Sequence, residues 1–185
     1  AFSVERGCYE EPFTLELTSS DPLAAIRFTT DGSAPAGPND GSPYRGPIEI
    51  ARTTTVRAAS FRESHEPSDV MTHTYVFLSQ VVSQSNTQPG YPSSWSGRPA
   101  DYEMDPEVVG DNDLFNGVYR ESIVDDLKDI PTLSITMDRD DLFGARGIYV
   151  NSQAEGVGWE RPASVELFDP EGEEEGFQVN CGIRI

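Results

Sequence analysis

Ile26-Arg27-Phe28-Thr29-Thr30-Asp31-Gly32-Ser33, then a loop, then Tyr44-Arg45-Gly46-Pro47-Ile48-Glu49-Ile50, is the stretch that decides the fold of the first half of this chain. Ile26, Phe28 and Thr30 alternate with Arg27 and Thr29, the period-2 pattern of a strand with one buried face. Asp31-Gly32 ends that strand as a turn, because glycine accepts positive φ and aspartate caps its own backbone. The loop from Ser33 to Pro43 holds three prolines and two glycines and cannot continue a ladder. Tyr44 brings an aromatic ring back toward the sheet, Gly46-Pro47 breaks the chain again, and Ile48 and Ile50 resume the alternation.

Working outward, Phe2 to Val4 reads as a short first strand, and Phe13, Leu15 and Leu17 alternate with Thr14, Glu16 and Thr18 as a second. Ser19-Ser20-Asp21-Pro22 turns the chain into the central stretch. Thr53 to Phe61 is rich in β-branched residues, Glu63 to Ser68 is a polar turn, and Val70 to Phe77 is a last strand. Strands at this spacing predict an immunoglobulin-like β-sandwich over residues 1–78. Its core is expected to contain Phe13, Leu15, Leu17, Ile26, Phe28, Ile48, Ile50 and Val56. The residues Ile26 to Ser33, Pro35, Tyr44, Gly46-Pro47-Ile48, Thr54 to Ala58, Pro67-Ser68 and Thr74-Tyr75 resemble the accessory sandwich domain found at the C-terminus of chitobiases and β-hexosaminidases. That resemblance implies a fold and an appended role in secreted proteins, not an activity.

The chain has 185 residues, enough for one large or two small domains. Hydrophobic residues make up 36% and charged residues 24%, with 14 Pro and 16 Gly, a turn-rich globular composition. The net charge of −19 repels phosphate backbones, so nucleic acid is not an expected partner. An acidic, solvated surface explains the charge. No apolar run approaches the roughly 20 residues of a membrane span. No signal peptide is visible, and the chain opens in strand-like sequence, as a mature or trimmed terminus would. Cys8 and Cys181 are too few for a disulfide framework, and each, in a strand-like stretch, reads as a small hydrophobe.

Leu78 to Tyr102 changes character: it is rich in Ser, Gln, Asn, Pro and Gly, and residues 79–101 read as an interdomain linker lying along a surface. Tyr91, Trp95 and Tyr102 pin it there; they are also the candidate ligand-stacking aromatics, since an aromatic face suits the apolar face of a sugar ring. Residues 102–185 predict a partial α+β domain with antiparallel strands and one main helix. The helix is Tyr119 to Ile130, with Ile123, Leu127 and Ile130 on one face and Pro131 as its stop. Leu133, Ile135 and Met137 alternate as a strand. Asp138 reads as the N-cap of a single turn ending at Gly144. Gly147 to Asn151 is a further short strand. Ser164 to Phe168 and Phe177 to Ile185 form a long hairpin with an acidic tip, Glu173 to Glu175. Val179, Cys181, Ile183 and Ile185 still alternate at the last residue. The sheet is therefore expected to be unfinished, unless Phe177 to Ile185 lies between Ser164 to Phe168 and Leu133 to Met137.

Ile130 to Ile135, Asp141 to Gly144, Gly147 to Asn151, Trp159 to Glu166 and Gly182 to Ile185, in that order, resemble the opening of a CotH-like domain. That family is named for a spore-coat protein and contains atypical, secreted-type protein kinases. The resemblance implies a bacterial surface protein whose full-length form uses Mg-ATP. A kinase needs a lysine on the phosphates, acidic magnesium ligands and a base for the substrate hydroxyl. The family carries these downstream of Ile185. Lys128, the only lysine, falls on the predicted helix, and no Gly-rich phosphate loop is present. No catalytic, cofactor-binding or metal-binding residue is therefore assigned, and this stretch is expected to bind no ATP and to hydrolyse no glycoside.

Asp138, Asp140 and Asp141, and likewise Asp111-Asn112-Asp113, look like fragments of a calcium loop but lack the glycine and bidentate glutamate at the required spacing; capping and solvation explain both. His65 falls in a polar turn and His73 in a strand, neither beside a nucleophile. No carboxylate pair stands out for glycoside hydrolysis. Trp159-Glu160-Arg161-Pro162 is the best buried anchor, with the indole packing and Arg161 pairing an acidic neighbour. The sequence reads as a non-catalytic part of a larger extracellular or cell-surface protein related to CotH-like kinases. The alternative is a carbohydrate-associated or adhesive module. The expected partners are carbohydrate, another protein or the downstream part of its own domain.

Overall fold

The computed structural model describes residues 1–95, 97–110, 113–172 and 175–185, apart from the side chain of Trp95. The first half is a sandwich. Its larger sheet contains β1 (Gly7–Cys8), β3 (Ala25–Thr29), β4 (Ser42–Pro43), β6 (Thr54–Phe61) and β7 (Met71–Val76), in the order β1-β7-β6-β3-β4. The smaller pairs β2 (Phe13–Leu15) with β5 (Ile48–Ile50), Phe13 opposite Ile50. All neighbours are antiparallel except β1 and β7. Phe2 makes one bridge to Leu17 instead of starting a strand, because Val4 carries its carbonyl to the Tyr75 hydroxyl and leaves the ladder.

Between the sheets lie Leu15, Leu17, Ile50, Val56, Ala58, Tyr75 and Phe77, all buried, with Phe13, Ile26, Phe28, Tyr44 and Ile48 packed against them. The eight residues predicted from alternation thus share one core. β6 and β7 are covered on both faces. Val56, Ala58 and Tyr75 point into the sandwich, while Arg57, Thr72 and Thr74 point the other way and are also buried. Something polar covers that outer face.

The cover comes from the second half. After β7 come α1 (Leu78–Val82), the hairpin β8 (Ser94–Trp95) and β9 (Arg98–Pro99), α2 (Pro106–Val109) and α3 (Val118–Asp126). The stretch 78–102 is therefore pinned in part by short elements of its own. Gln80 bonds Thr53 and the Ala51 carbonyl, and Gln84 donates to the Tyr102 carbonyl. α3 stops at Asp126, short of the predicted Ile130, and buries no residue. Ile130 is 59% exposed, so no apolar stripe held a longer helix in place. Lys128 lies just beyond the helix and reaches Glu10 of the sandwich at 2.9 Å.

A three-stranded antiparallel sheet follows: β10 (Thr132–Met137), β11 (Arg161–Phe168) and β12 (Phe177–Ile183), in the order β10-β11-β12. β11 is central, with Ser134 opposite Glu166 and Glu166 opposite Gln178. The alternative that put Phe177 to Ile185 in the middle is therefore incorrect. Between β10 and β11, α4 (Arg139–Phe143) is capped by Asp138, whose carboxylate accepts from the Asp140 N–H at 2.8 Å. Gly147 to Asn151 forms turns instead of a strand: the N–H groups of Ile148 and Tyr149 bond back to the Asp141 and Leu142 carbonyls. The Asp31-Gly32 turn also joins the halves. Gly32 has φ +89°, and a Cβ there would lie 2.7 Å from the Met137 carbonyl oxygen, so only glycine fits.

Candidate functional site at the junction of the two halves

Along β11, Ser164, Glu166 and Phe168 point to the sandwich and are buried, while Val165 and Leu167 point away and are only partly buried. A strand would normally turn its apolar row inward. Here the partner surface decides, because β7 offers Glu166 both the N–H and the hydroxyl of Thr74. The Glu166 side chain is fully buried; it accepts from the Thr74 N–H at 3.1 Å and the Thr74 hydroxyl at 2.5 Å, and Arg6 stands at 3.2 Å. Arg6 also donates to the Phe177 carbonyl at 3.2 Å. Thr74 is shared further, with Ser134 at 2.8 Å and Thr55 at 3.1 Å. Burial pushes the Glu166 carboxyl up, and the Thr74 donors and Arg6 pull it back. Two donors and a guanidinium at these distances fit the ionised form.

Arg57 lies beneath, 4% exposed, donating from Nη1 to the Gly32 carbonyl at 2.8 Å while its Nε has no partner among the described residues. His73 is 3% exposed and stacks on Phe2 at 4.2 Å and 8°. Its Nδ1 lies 3.3 Å from the Val4 carbonyl and its Nε2 3.4 Å from Arg6, which fits a neutral ring donating from Nδ1. Burial, then Arg6, push its pKa down to about 4. No motif signals this cluster in the sequence, because Arg6, the pair His73-Thr74 and Glu166 are far apart along the chain.

Of the predicted stacking aromatics, the structure brings Tyr91 and Tyr102 together edge to face at 5.9 Å. Tyr91 also meets Phe143 at 6.0 Å, and the Arg139 guanidinium lies 5.7 Å from its ring centre. The Tyr102 hydroxyl donates to the Pro92 carbonyl at 2.9 Å. The Trp95 side chain lies outside the described residues. Beside Tyr91 runs a groove of about 740 Å³, floored by Thr54 and Thr55 and walled by Arg52, Arg139 and residues 134–137 of β10.

The other sequence candidates are engaged structurally. Arg161 donates from Nε and Nη2 to the Arg146 carbonyl, stands 3.8 Å from Asp141 and lies over Trp159 at 5.4 Å. Asp113 accepts from the N–H groups of Phe115 and Gly117 at 2.6 Å; Asp111, Asn112, Glu173 and Glu174 lie outside the described residues. Among the described residues, no three His, Cys, Asp or Glu side chains are grouped to hold a metal. Cys8 and Cys181 are free thiols. No helix of the described chain is long and apolar enough to cross a membrane.

Residues 15–75, about a third of the chain, match the family model described as "Fn3 associated". The match spans β2 to β7 and indicates a fibronectin-III-associated, immunoglobulin-like β domain. No curated protein and no solved structure matches the chain.

Proposed function

We propose, from the premise that residues 15–75 form a fibronectin-III-associated β domain, that this chain is a non-catalytic accessory module of a larger secreted or cell-surface protein. Its task is to hold a partial sheet in a fixed position for a neighbouring domain that resembles CotH-like atypical kinases. One observation carries the reading. The sandwich grips the polar face of β10, β11 and β12 through Glu166 and Ser134, while the opposite face is apolar and bare. On that face Leu133 is 58% exposed, Ile135 54%, Phe177 49% and Val179 46%. The same face continues into a small core of Met137, Ile148 and Ala163, so it is the open end of a core. A bare patch of this kind marks an interaction surface. The net charge of −19 opposes covering it with a second copy.

The reading is tested by comparing residues 1–185 with a chain extended past Ile185 into the parent sequence. The extended chain should melt higher and bind less of an apolar dye. Equal melting temperatures and equal dye binding would overturn it.

A further inference from the structure

The edge of the three-stranded sheet carries a second, independent feature. Four consecutive residues of β10, Ser134 to Met137, line the 740 Å³ groove. Successive residues of a strand point to opposite faces, so a cavity that touches four in a row lies against the strand's edge. Among the described residues that edge has no neighbouring strand, since β10 is first in the order β10-β11-β12. The opposite edge is guarded: Arg6 occupies the Phe177 carbonyl of β12, and Asn180 is tied to the Val70 carbonyl at 2.8 Å. The Asp31-Gly32 turn reaches this strand at Met137, but the strand's own sequence carries none of the usual protections. It reads Thr-Leu-Ser-Ile-Thr-Met, with no charge, proline or bulge.

The groove wall adds chemistry. Arg6, Arg62, Arg161 and Lys128 each pair with a carboxylate of this acidic chain. Arg52 and Arg139 both face the groove, and among the described residues neither has a carboxylate within ion-pair distance. Arg139 makes a long hydrogen bond to the Pro89 carbonyl, 3.4 Å, lies against Tyr91, and shares the groove with Asp31, whose carboxyl its charge helps to lower without forming an ion pair. A second copy of this chain would bring another net −19 to the edge and is disfavoured as the occupant.

We propose that this groove is a strand-accepting site for an extended peptide segment of another polypeptide. The segment pairs its backbone with the free edge of β10. It sets apolar side chains beside Leu133 and Ile135 and turns a carboxylate toward Arg52 and Arg139. Main-chain hydrogen bonds supply the affinity and the alternate side chains supply the selection. The site concerns the edge of the sheet, not its bare face, so it stands or falls separately from the accessory role.

The test titrates the intact 185-residue protein with a blocked synthetic heptapeptide, Thr-Val-Asp-Val-Asp-Val-Thr, and follows amide hydrogen exchange and calorimetry. Saturable binding should slow alternate amides of β10, because only every second N–H faces the open edge. Arg52→Glu, at an exposed side chain without an ion pair among the described residues, should weaken binding roughly tenfold and should favour a probe with lysines in place of the aspartates. Arg139→Glu should do the same. Unchanged β10 exchange at saturation, slowing confined to β12, or affinity indifferent to Arg52→Glu would each overturn the proposal. So would self-association of the free protein with β10 protected.

Discussion

His73 shows how one side chain ties the N-terminal segment to the sandwich. Its ring is held neutral between Phe2, the Val4 carbonyl and Arg6, with a folded-state pKa near 4 against an ordinary 6.5. A group that must stay neutral contributes its full stability above pH 6.5. That contribution is lost as the pH falls from 6.5 toward 4 and the unfolded chain takes the proton first. The loss over this window is on the order of 3 kcal/mol. Glu166 acts in the opposite sense: burial holds its folded-state pKa above that of the unfolded chain although Thr74 and Arg6 pull it back, a contribution present at low pH and lost as the pH rises through the folded-state pKa. Substituting His73→Gln, which keeps a donor for Val4, should flatten the acid limb of a urea-denaturation series between pH 6.5 and pH 4. An unchanged slope would show that other groups set it.

At the scale of elements, the second sheet departs from the rule its own sequence suggests. Leu133, Ile135 and Met137 alternate as a buried row would, yet only Met137 is buried, under Leu142 and Ile148. Ser134 and Thr136 share the face turned to the sandwich, where the Ser134 hydroxyl meets that of Thr74 at 2.8 Å. The substitutions Ile135→Thr and Val179→Thr should therefore change stability by no more than about 0.5 kcal/mol, since both side chains are already in water. They should clearly reduce apolar-dye binding. A loss of several kcal/mol in chemical denaturation would mean that this face is covered in solution. The reading of α3 fails for a related reason. Ile123, Val124 and Leu127 are only partly buried, and past Asp126 the N–H groups of Lys128 and Asp129 bond just three residues back, which tightens and ends the helix.

At the scale of the molecule, Glu166 is the link between the halves. Removing a buried partner leaves Arg6 and Thr74 with unmet groups, so Glu166→Ala should cost about 3–5 kcal/mol. Scanning calorimetry should show one transition for the native chain and two, or one broadened, for the variant, as the second sheet comes away from the sandwich. A single sharp transition at an unchanged temperature in the variant would refute the link. Much of the sandwich was legible in the sequence. Phe13, Leu15, Leu17, Ile26, Phe28, Ile48, Ile50 and Val56 entered one core, Asp31-Gly32 made the turn, Asp138 capped α4, and β11 and β12 formed a hairpin. Each of these is set by a period or a turn within a few residues, where local sterics and side-chain chemistry suffice. The junction was not legible. Whether Glu166 faces in or out depends on Thr74, 92 positions away, and on Arg6 beyond it. A carboxylate can be buried only where its partners are already in place, and that placement is fixed by tertiary packing, not by the alternation of the strand that carries it.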